Sequence, residues 1–421
     1  MAVFGLGESE VSRLVAPLRI PSCSDPRLER GDSEAVSDAD LFARAAWTGL
    51  SEPGDRSAGV LTMALGAPGA LTALLEGWSA ERLARAVDPA ATVSVAALRK
   101  EFADALARWR PRMELRDVIR SLEVAARRGC RLVTPAMELW PVGVDDLGAN
   151  APIALWWRGR SAALHSLSFS IALVGARAAT GYGEHVAMEA SAGLVDRGLA
   201  IVSGAAYGID GMAHRSAIAS EGHTIAFLAG GVDRFYPRGH DALLGRICEV
   251  GAVVSELPCG STPTKWRFLQ RNRLIAASSQ ATVVLEAGWR SGSLNTAGHA
   301  AALGRPLGAV PGPVTSPASA GCHRLLREYD ARCVSNAAEM AELVRSDDSG
   351  AGGGAQSPGV RQTGEETRVI DALSARSPRV PLDIAQRSGL STTTVLGTLG
   401  TLELAGIVRE RHGGWVRASP G

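Results

Sequence analysis

Short apolar runs alternate with amphipathic stretches through the middle of the chain, from about residue 170 to residue 345. Apolar runs of about four to eight residues between glycine turns are typical of buried parallel strands, and the stretches between them have helical periodicity. The strands are predicted from Ile171 to the turn at Gly175 and then at 199–203, 224–228, 252–255, 281–286, 306–310 and 331–334. Such alternation predicts a doubly wound, mainly parallel α/β sheet with right-handed crossovers.

The segments on either side of this region have different patterns. Residues 1–36 are polar without sustained periodicity, and we expect a poorly ordered lead-in. Helical segments follow from Ser37 to residue 112, and their simplest interpretation is a small bundle that packs or docks. The α/β domain is expected to occupy residues 113–345. The composition of residues 346–364, rich in glycine and serine, predicts a flexible linker before a last domain.

The pattern after the linker, in residues 365–421, predicts a winged helix-turn-helix. Its helices are expected at 366–373, 382–387 and 391–404, followed by a hairpin across Gly413-Gly414. The third helix contains no arginine or lysine, so it is a poor candidate for binding a duplex groove. A protein contact or a weak auxiliary role is favoured. The basic residues of the wing are Arg409, Arg411 and Arg417.

Length and charge limit the possible interpretations. A chain of 421 residues with 46% hydrophobic content has room for two or three domains. The formal net charge is only +1, so a nucleic-acid surface must be a local patch. Lysine occurs only at Lys100 and Lys265. This bias reflects coding composition, and the abundance of arginine is therefore no evidence for phosphate binding.

Cysteine and histidine usage gives no indication of a metal site. The six cysteines form no CxxC pair and have no regular spacing, which favours buried thiols in a reducing compartment. Three histidines are scattered without metal-ligand spacing: His214, His223 and His240. His214 is expected to contact Asp210, which lies one helical turn earlier.

No basic start precedes an apolar segment, and no apolar stretch approaches the roughly 20 residues that span a bilayer. We expect a cytoplasmic protein without membrane contact.

Cations follow the ends of predicted strands. Arg177 comes just after the first strand and its Gly175 turn, and Arg238 follows the strand at 224–228 and the pair Tyr236-Pro237. The carboxyl ends of parallel strands meet at one edge of a sheet, where ligands bind. Arginine presents a fixed fork of donors that pairs with phosphate. We therefore expect these cations to share a path for a phosphate backbone.

The glycine turns do not match coenzyme motifs. The first turn, from Gly175 to Gly181, lacks G-x-G-x-x-G. Ser203-Gly204 stands where an acid that binds ribose would follow the second strand. The P-loop sequence Gly-Lys-Ser/Thr does not occur either. The motifs therefore argue against a dinucleotide fold and a P-loop, and we expect no cofactor.

A basic and aromatic segment opens the helix predicted at 267–278. Its candidate binding residues are Lys265, Phe268, Gln270, Arg271, Asn272 and Arg273. A helix places Arg271 and Asn272 on the same side as Phe268. Cations pair with phosphates and phenylalanine stacks on bases, so the segment favours single-stranded nucleic acid over a solvated surface helix. Asn272 either reads a base edge or braces a neighbouring loop.

A third cluster follows the strand at 281–286. Ser291, Gly292 and Ser293 form a strand-to-helix turn whose backbone N–H groups are free to hold an anion, unless Ser293 is only an N-cap. Glu286, at the end of the strand, is either a braced structural carboxylate or a lone acid. A catalytic role would need a second titratable group beside it.

Together these motifs resemble the DNA-processing protein A family, also called DprA or Smf. The matching segments are Val174–Arg177, Ser203–His214, Tyr236-Pro237, Phe268–Ala276, Ser291–Leu294 and Pro311-Gly312. The resemblance covers residues 115–345 closely. It implies an extended Rossmann-like domain that binds single-stranded DNA, forms a homodimer and loads the RecA recombinase during natural transformation, without catalysis. The site that it implies comprises the loop Gly175–Arg177, Arg238 and the segment Phe268–Arg273. Gly204, after the second strand, is a further candidate binding residue.

Some residues depart from the family's pattern. Ala176 replaces a hydroxyl residue, Leu269 replaces a proline, and Tyr207 stands where a basic residue is frequent. We therefore expect weaker DNA binding than in relatives.

Two other classes of protein compete with this interpretation. A nucleotide-processing enzyme similar to the phosphoribohydrolases of nucleoside monophosphates would use Glu286 and the Ser291–Ser293 turn. Such enzymes have a Pro-Gly-Gly-x-Gly-Thr turn followed by glutamate, and this chain has Arg290-Ser-Gly-Ser-Leu-Asn-Thr instead. A transcription regulator would depend on the winged helix alone, whose recognition helix contains no cation.

Overall fold

The N-terminal domain is a helical bundle in the computed structural model, which describes residues 4–19, 36–88, 95–345, 364–374, 377–404, 407–411 and 413–418. Its helices are α1 Glu8–Val15, α2 Asp38–Leu50, α3 Arg56–Leu75, α4 Ala80–Val87, α5 Val95–Trp109 and α6 Leu115–Arg128. The hydroxyl of Ser37 caps α2 by accepting a hydrogen bond from Asp40 N–H, as its sequence predicts. The linker predicted at 346–364 lies outside the described residues, apart from Gly364.

Helix α1 lies inside the segment that we expected to be poorly ordered. That expectation is wrong for residues 8–18. Val11 and Val15 are spaced one turn apart, and both are buried in the same core as Leu41 and Phe42 of α2. One apolar pair at helical spacing is a weak signal in a polar sequence, and burial against α2 is what stabilises the short helix.

Helix α3 contradicts the expectation that no apolar stretch approaches the length that spans a bilayer. Among the described residues it is the one helix long and apolar enough to cross a membrane, with a mean hydropathy of 1.7. It is not a straight rod, because Gly66 has a φ of +69° and Pro68 follows it. The indole of Trp47 donates to Ala67 O at this kink (3.2 Å). Leu61 and Leu71 are fully buried, so part of α3 belongs to the core of the bundle.

The central domain is built on one sheet. Its strands are β1 Arg131–Val133, β2 Leu155–Gly159, β3 Ser170–Gly175, β4 Ala200–Ser203, β5 Thr224–Phe227, β6 Ala252–Ser255, β7 Ala281–Glu286, β8 Leu307–Ala309 and β9 Arg332–Cys333. The helices around it are α7 Ser161–His165, α8 Gly181–Val195, α9 Ile209–Ala219, α10 Asp241–Val250, α11 Lys265–Ser278, α12 Ser293–Ala302, α13 Ala320–Glu328 and α14 Ala337–Arg345. This alternation confirms the predicted doubly wound α/β class.

The strand order is β1-β2-β6-β5-β4-β3-β7-β8-β9. The pairs β1–β2 and β2–β6 are antiparallel, and the other pairs are parallel. The chain runs from β3 through β4 and β5 to β6, and then returns to β7 on the other side of β3. This reversal of direction makes the crevice between β3 and β7 the switch point of the sheet. Trp156 and Trp157 on β2 are buried, so they are packing residues, as expected from the sequence.

The C-terminal domain has its own apolar core. Its elements are α15 Gly364–Ala372, α16 Pro381–Ser388, α17 Thr392–Leu404, β10 Val408–Arg411 and β11 Gly414–Arg417. The two strands form an antiparallel hairpin, and with the three helices they make the predicted winged helix. This domain packs against α11, where the backbone N–H of Trp266 donates to the carboxylate of Asp371 (3.1 Å). It also contacts the N-terminal bundle, where Gln386 Nε2 donates to Pro111 O (3.1 Å).

Candidate nucleic-acid interface

The loop after β3 is held in place at the switch point. Ala176 N–H donates to Glu286 O on β7 (2.7 Å), and Ala176 O accepts from Ile209 N–H at the start of α9 (3.2 Å). A Cβ on Gly175 would lie 2.5 Å from Ile209 Cγ1 and 2.8 Å from Glu286 O. Gly175 is therefore required for the close approach of three chain segments. The loop projects Arg177 outward from this fixed base.

The side chain of Phe268 is the centre of the site. It lies in the first turn of α11, and the ring is half-buried. The guanidinium carbon of Arg177 lies 5.0 Å from the ring centroid, within the range of a cation–π contact. The ring of Tyr236 approaches it from another side, with centroids 5.6 Å apart. Arg177 and Tyr236 are both exposed, so aromatic and cationic groups meet at a surface open to solvent.

These residues line a groove of about 920 Å³ over the switch point, called here the strand groove. Nine of the predicted site residues line it: Gly175, Arg177, Lys265, Phe268, Arg271, Asn272, Ser291, Gly292 and Ser293. The lining residues that were not among the predicted site residues include Tyr236, Trp289 and Arg290. Trp289 is 54% exposed and follows β7 in the sequence motif that contains Glu286. An exposed tryptophan just after a strand end is the signal that could have identified it.

Arg271 forms the floor of the groove and is only 5% exposed. Its guanidinium donates to Gly204 O (2.7 Å) and Phe227 O (2.5 Å), which lie at the ends of β4 and β5. Burial lowers the pKa of Arg271 to about 10, against the attraction of the buried Asp210, and Arg177 adds repulsion. Arg271 therefore cross-links strand ends and supplies positive potential from below. It also lines the groove, so its part in binding stays a prediction.

Two other predicted binding residues of α11 face away from the groove. Arg273 is 3% exposed and pairs with Glu256 at 2.5 Å. Gln270 packs against the turn at Gly54, where an added Cβ would lie 2.9 Å from its Oε1. Gln270 and Arg273 are three residues apart and therefore share one side of α11, which does not line the strand groove. Both predictions are corrected: Arg273 and Gln270 join the central domain to the N-terminal bundle.

Of the remaining predicted residues, two are buried and two are exposed. Asn272 is 9% exposed and donates to Asn295 Oδ1 (3.2 Å), which supports its role as a brace. Gly204 is buried beneath Arg271, so the prediction of direct contact with a ligand is wrong. Arg238 is exposed at the same end of the sheet but is not among the residues that line the groove. Lys265 is exposed at the first position of α11.

The turn before α12 does not leave its backbone N–H groups free, contrary to our expectation. Those of Ser291, Leu294 and Asn295 donate to backbone carbonyls, and that of Ser293 lies 3.4 Å from the Ser291 hydroxyl. Gly292 is the N-cap of the helix, so Ser293 is its first residue and not the cap. The hydroxyls of Ser291 and Ser293 lie 2.7 Å apart, and the groove reaches both. The N-terminus of α12 thus faces the strand groove with its positive dipole end.

Glu286 is a braced structural carboxylate and not a lone acid. It is 2% exposed and accepts from Thr180 N–H (2.8 Å) and from Thr180 Oγ1 (2.6 Å) at the N-terminus of α8. His214 Nδ1 forms a hydrogen bond with Thr224 Oγ1 (2.7 Å). This contact takes the place of the expected contact with Asp210. Burial lowers the pKa of His214 to about 3, so the ring is neutral. Neither group is presented to the strand groove.

Asp371 places a carboxylate of the winged helix at the rim of the groove, beside the N-terminus of α11. We expect Asp371→Asn to raise the affinity for an anionic ligand of the groove about threefold to fivefold. The reason is that one charge near a bound phosphate costs about 1 kcal/mol. Titration of a fluorescent oligonucleotide measures the change. Glu403→Gln, on the exposed side of α17, is the matched control, and equal affinities for both variants would contradict the expectation.

The fold and site define a doubly wound α/β protein with a winged helix and with a basic, aromatic groove at the switch point. The family model described as DNA recombination-mediator protein A matches residues 131–345, and the DprA winged helix domain matches residues 354–414. The chain belongs to the DNA recombination-mediator protein A family, whose members are called DprA or Smf.

Named relatives agree with this assignment. The putative DNA processing protein DprA of Mycobacterium tuberculosis is 47% identical over 325 residues, which cover 74% of this chain and 83% of the relative. Protein Smf of Escherichia coli is 36% identical over 277 residues, covering 63% and 72% of the two chains. The solved structure of DprA from Streptococcus pneumoniae superposes with a TM-score of 0.56 at 26% identity, and covers 72% of this chain and 97% of that one.

Proposed function

We propose that the chain is a single-stranded DNA-binding recombination mediator and that the strand groove holds the unpaired strand. The observation that carries this proposal is the position of the Arg177 guanidinium over the half-buried ring of Phe268 at the switch point. Arg177, Lys265 and Arg290 are exposed cations that pair with backbone phosphates. Phe268, together with the exposed rings of Tyr236 and Trp289, supplies faces on which bases stack.

The aromatic faces favour an unpaired strand over a duplex. A base in a duplex is already stacked on both sides and cannot reach a ring on the floor of a groove. The helix expected to read a duplex, α17, contains no arginine or lysine. Phosphate neutralisation supplies most of the affinity for a duplex, so the winged helix offers little of it. Strand selectivity is therefore the expected property.

Recombination mediation is the wider part of the proposal. The family is described as recombination mediators, and the resemblance adds loading of RecA on strands taken up during natural transformation. We further propose a cytoplasmic protein that forms a homodimer through its central domain and catalyses no reaction. The support against a nucleotide-processing enzyme is that Thr180 occupies both carboxylate oxygens of Glu286.

A mobility-shift assay with oligo-dT and with a duplex of equal length tests the proposed function. We expect salt-sensitive binding of oligo-dT, weak binding of the duplex and faster nucleation of RecA filaments on the bound strand. Release of a base or phosphate from nucleotides, without strand binding, would support the enzyme instead. Equal affinity for strand and duplex would contradict the role given to the aromatic residues.

Phe268→Leu tests stacking without removing a charge. We expect a loss of about 1–3 kcal/mol in the free energy of oligo-dT binding, because leucine fills similar space but offers no aromatic face. Fluorescence titration at fixed salt gives the value. Phe169→Leu is the matched control, since Phe169 is 40% exposed and immediately precedes β3, at the opposite end of that strand from Arg177. An unchanged affinity in Phe268→Leu would exclude stacking on this ring.

A further inference from the structure

A second cavity of about 780 Å³ lies between α2, α6 and the connection from β6 to α11. We call it the arginine cleft. Seven arginines line it: Arg112, Arg116, Arg120, Arg127, Arg128, Arg234 and Arg267. The connection from β6 to α11 separates it from the strand groove, because Ser261 lines the cleft while Pro263 and Thr264 line the groove. The two cavities therefore share one wall.

The positive charge of the cleft is only partly compensated. Three acids line it, Glu114, Asp117 and Asp233, and they face more than twice as many arginines. Arg112 and Arg267 bind the buried carboxylate of Glu52. Arg116 and Arg127 lie 3.8 Å from the carboxylates of Glu114 and Glu123, respectively. Arg120, Arg128 and Arg234 are exposed, and their side chains have no ion pair or hydrogen bond with any residue that the structure describes. These three cations are available to an external anion.

Helix α6 arranges its cations in a row. Arg116 and Arg120 are one turn apart, roughly 6 Å along the helix axis, and Arg127 and Arg128 follow two turns later. The opposite side of α6 is fixed in the core by Val118, Leu122 and Ala125. A row of forks on a rigid helix suits a ligand with repeated anionic groups.

The lining indicates which part of such a ligand would enter. None of the described residues that line the arginine cleft is aromatic, whereas Phe268, Tyr236 and Trp289 all line the strand groove. Without an aromatic face a base gains no stacking energy in the cleft. The cleft therefore offers binding energy to phosphates and not to bases.

We propose that the arginine cleft binds backbone phosphates of the DNA strand whose bases occupy the strand groove. This inference rests on the proposed function and extends it to a second anchor on the far side of the connection from β6 to α11. The strand would be held by stacking and charge in the groove and by charge alone in the cleft. Binding should then strengthen with strand length beyond what the groove accommodates.

The test compares a short and a long oligo-dT, of about 6 and about 30 nucleotides, on the full chain. The variant is Arg120→Ala/Arg128→Ala/Arg234→Ala. We expect its affinity for the long strand to fall about tenfold and its salt slope to fall by about 2, as for three lost phosphate contacts. Its affinity for the short strand should equal that of the wild type, which also shows that the variant is folded.

The matched control is Arg99→Ala/Arg215→Ala/Arg332→Ala, which removes three exposed arginines outside both cavities. Equal loss in both triple variants would overturn the proposal, because the effect would come from net charge. An unchanged affinity for the long strand would also overturn it and would leave the strand groove intact. Arginine-dependent binding of poly-glutamate without an effect on oligo-dT would assign the cleft to an acidic protein. Failure of the wild type to bind either strand would overturn both proposals.

Discussion

Arg177→Ala is expected to weaken oligo-dT binding about 10- to 100-fold, the equivalent of about 1.5–3 kcal/mol for a hydrogen bond to a charged group. Arg177 is exposed, and its side chain has no ion pair or hydrogen bond with the described residues. Its guanidinium is held over Phe268 at 5.0 Å, so little side-chain freedom remains to be lost on binding. Mobility shift and fluorescence titration at two salt concentrations measure the effect.

Two further variants separate the causes. Arg177→Lys keeps the charge and loses the planar fork, so we expect an affinity between those of the wild type and Arg177→Ala. Arg215→Ala removes an exposed arginine of α9 that lies outside the groove, and it should leave affinity unchanged. Wild-type affinity in Arg177→Ala, or equal losses in Arg177→Ala and Arg215→Ala, would contradict the role of Arg177.

Glu52→Gln is expected to lower the free energy of unfolding by about 3–5 kcal/mol, because it removes one partner of buried ion pairs. Glu52 lies between α2 and α3 and accepts from Arg267 Nε (3.0 Å) and Nη2 (2.8 Å), and also from Arg112. Arg368 of the winged helix lies close enough to interact with the same carboxylate. Gln would leave these buried guanidinium groups without a counter-charge. Denaturant unfolding measures the loss.

The ion pairs of Glu52 also make the free energy of unfolding depend on pH. Burial alone would raise the pKa of the Glu52 carboxyl, but Arg267 and Arg112 outweigh burial and hold its pKa well below its ordinary value of 4.5. The folded-state pKa is thus lower than the unfolded one. The stabilisation is complete above about pH 4.5 and is lost as the pH falls further. Glu52→Gln should lack this part of the acid sensitivity.

Glu81→Gln is the control for Glu52→Gln. Glu81 forms an exposed pair with Arg85 on α4, and such surface pairs contribute less than about 1 kcal/mol. Exposed pairs are screened by solvent, while Glu52 and its partners are not. Equal stability losses in the two variants, or no loss in Glu52→Gln, would show that the Glu52 cluster does not stabilise the three domains.

The strand and helix pattern could be predicted from the sequence because local periodicity determines it. The parallel strands after Gly175 appear within one or two residues of their predicted limits. The position of the crevice between β3 and β7 depends on the strand order, which alternation alone does not determine. The helix α1 was missed because two valines carry its signal. Its burial depends on a tertiary contact with α2, which no local pattern records.

The roles of individual arginines were harder to predict. Arg177, Arg271 and Arg273 look alike in the sequence, yet only Arg177 is exposed. Arg271 is buried because two strand-end carbonyls need a donor, and Arg273 because Glu256 needs a counter-charge. Helical position and distant acids decide these outcomes. The Glu52 cluster was not predicted for the same reason: its members come from the α2–α3 and α5–α6 connections, α11 and α15.

Photo-crosslinking of oligo-dT, with the modified residues located by mass spectrometry, tests most directly whether the strand groove holds an unpaired strand. We expect crosslinks at Phe268, Tyr236 or Trp289, and their loss in Arg177→Ala. Crosslinks confined to the winged helix, or to the far end of the sheet beside Phe169, with none in the strand groove, would contradict this expectation.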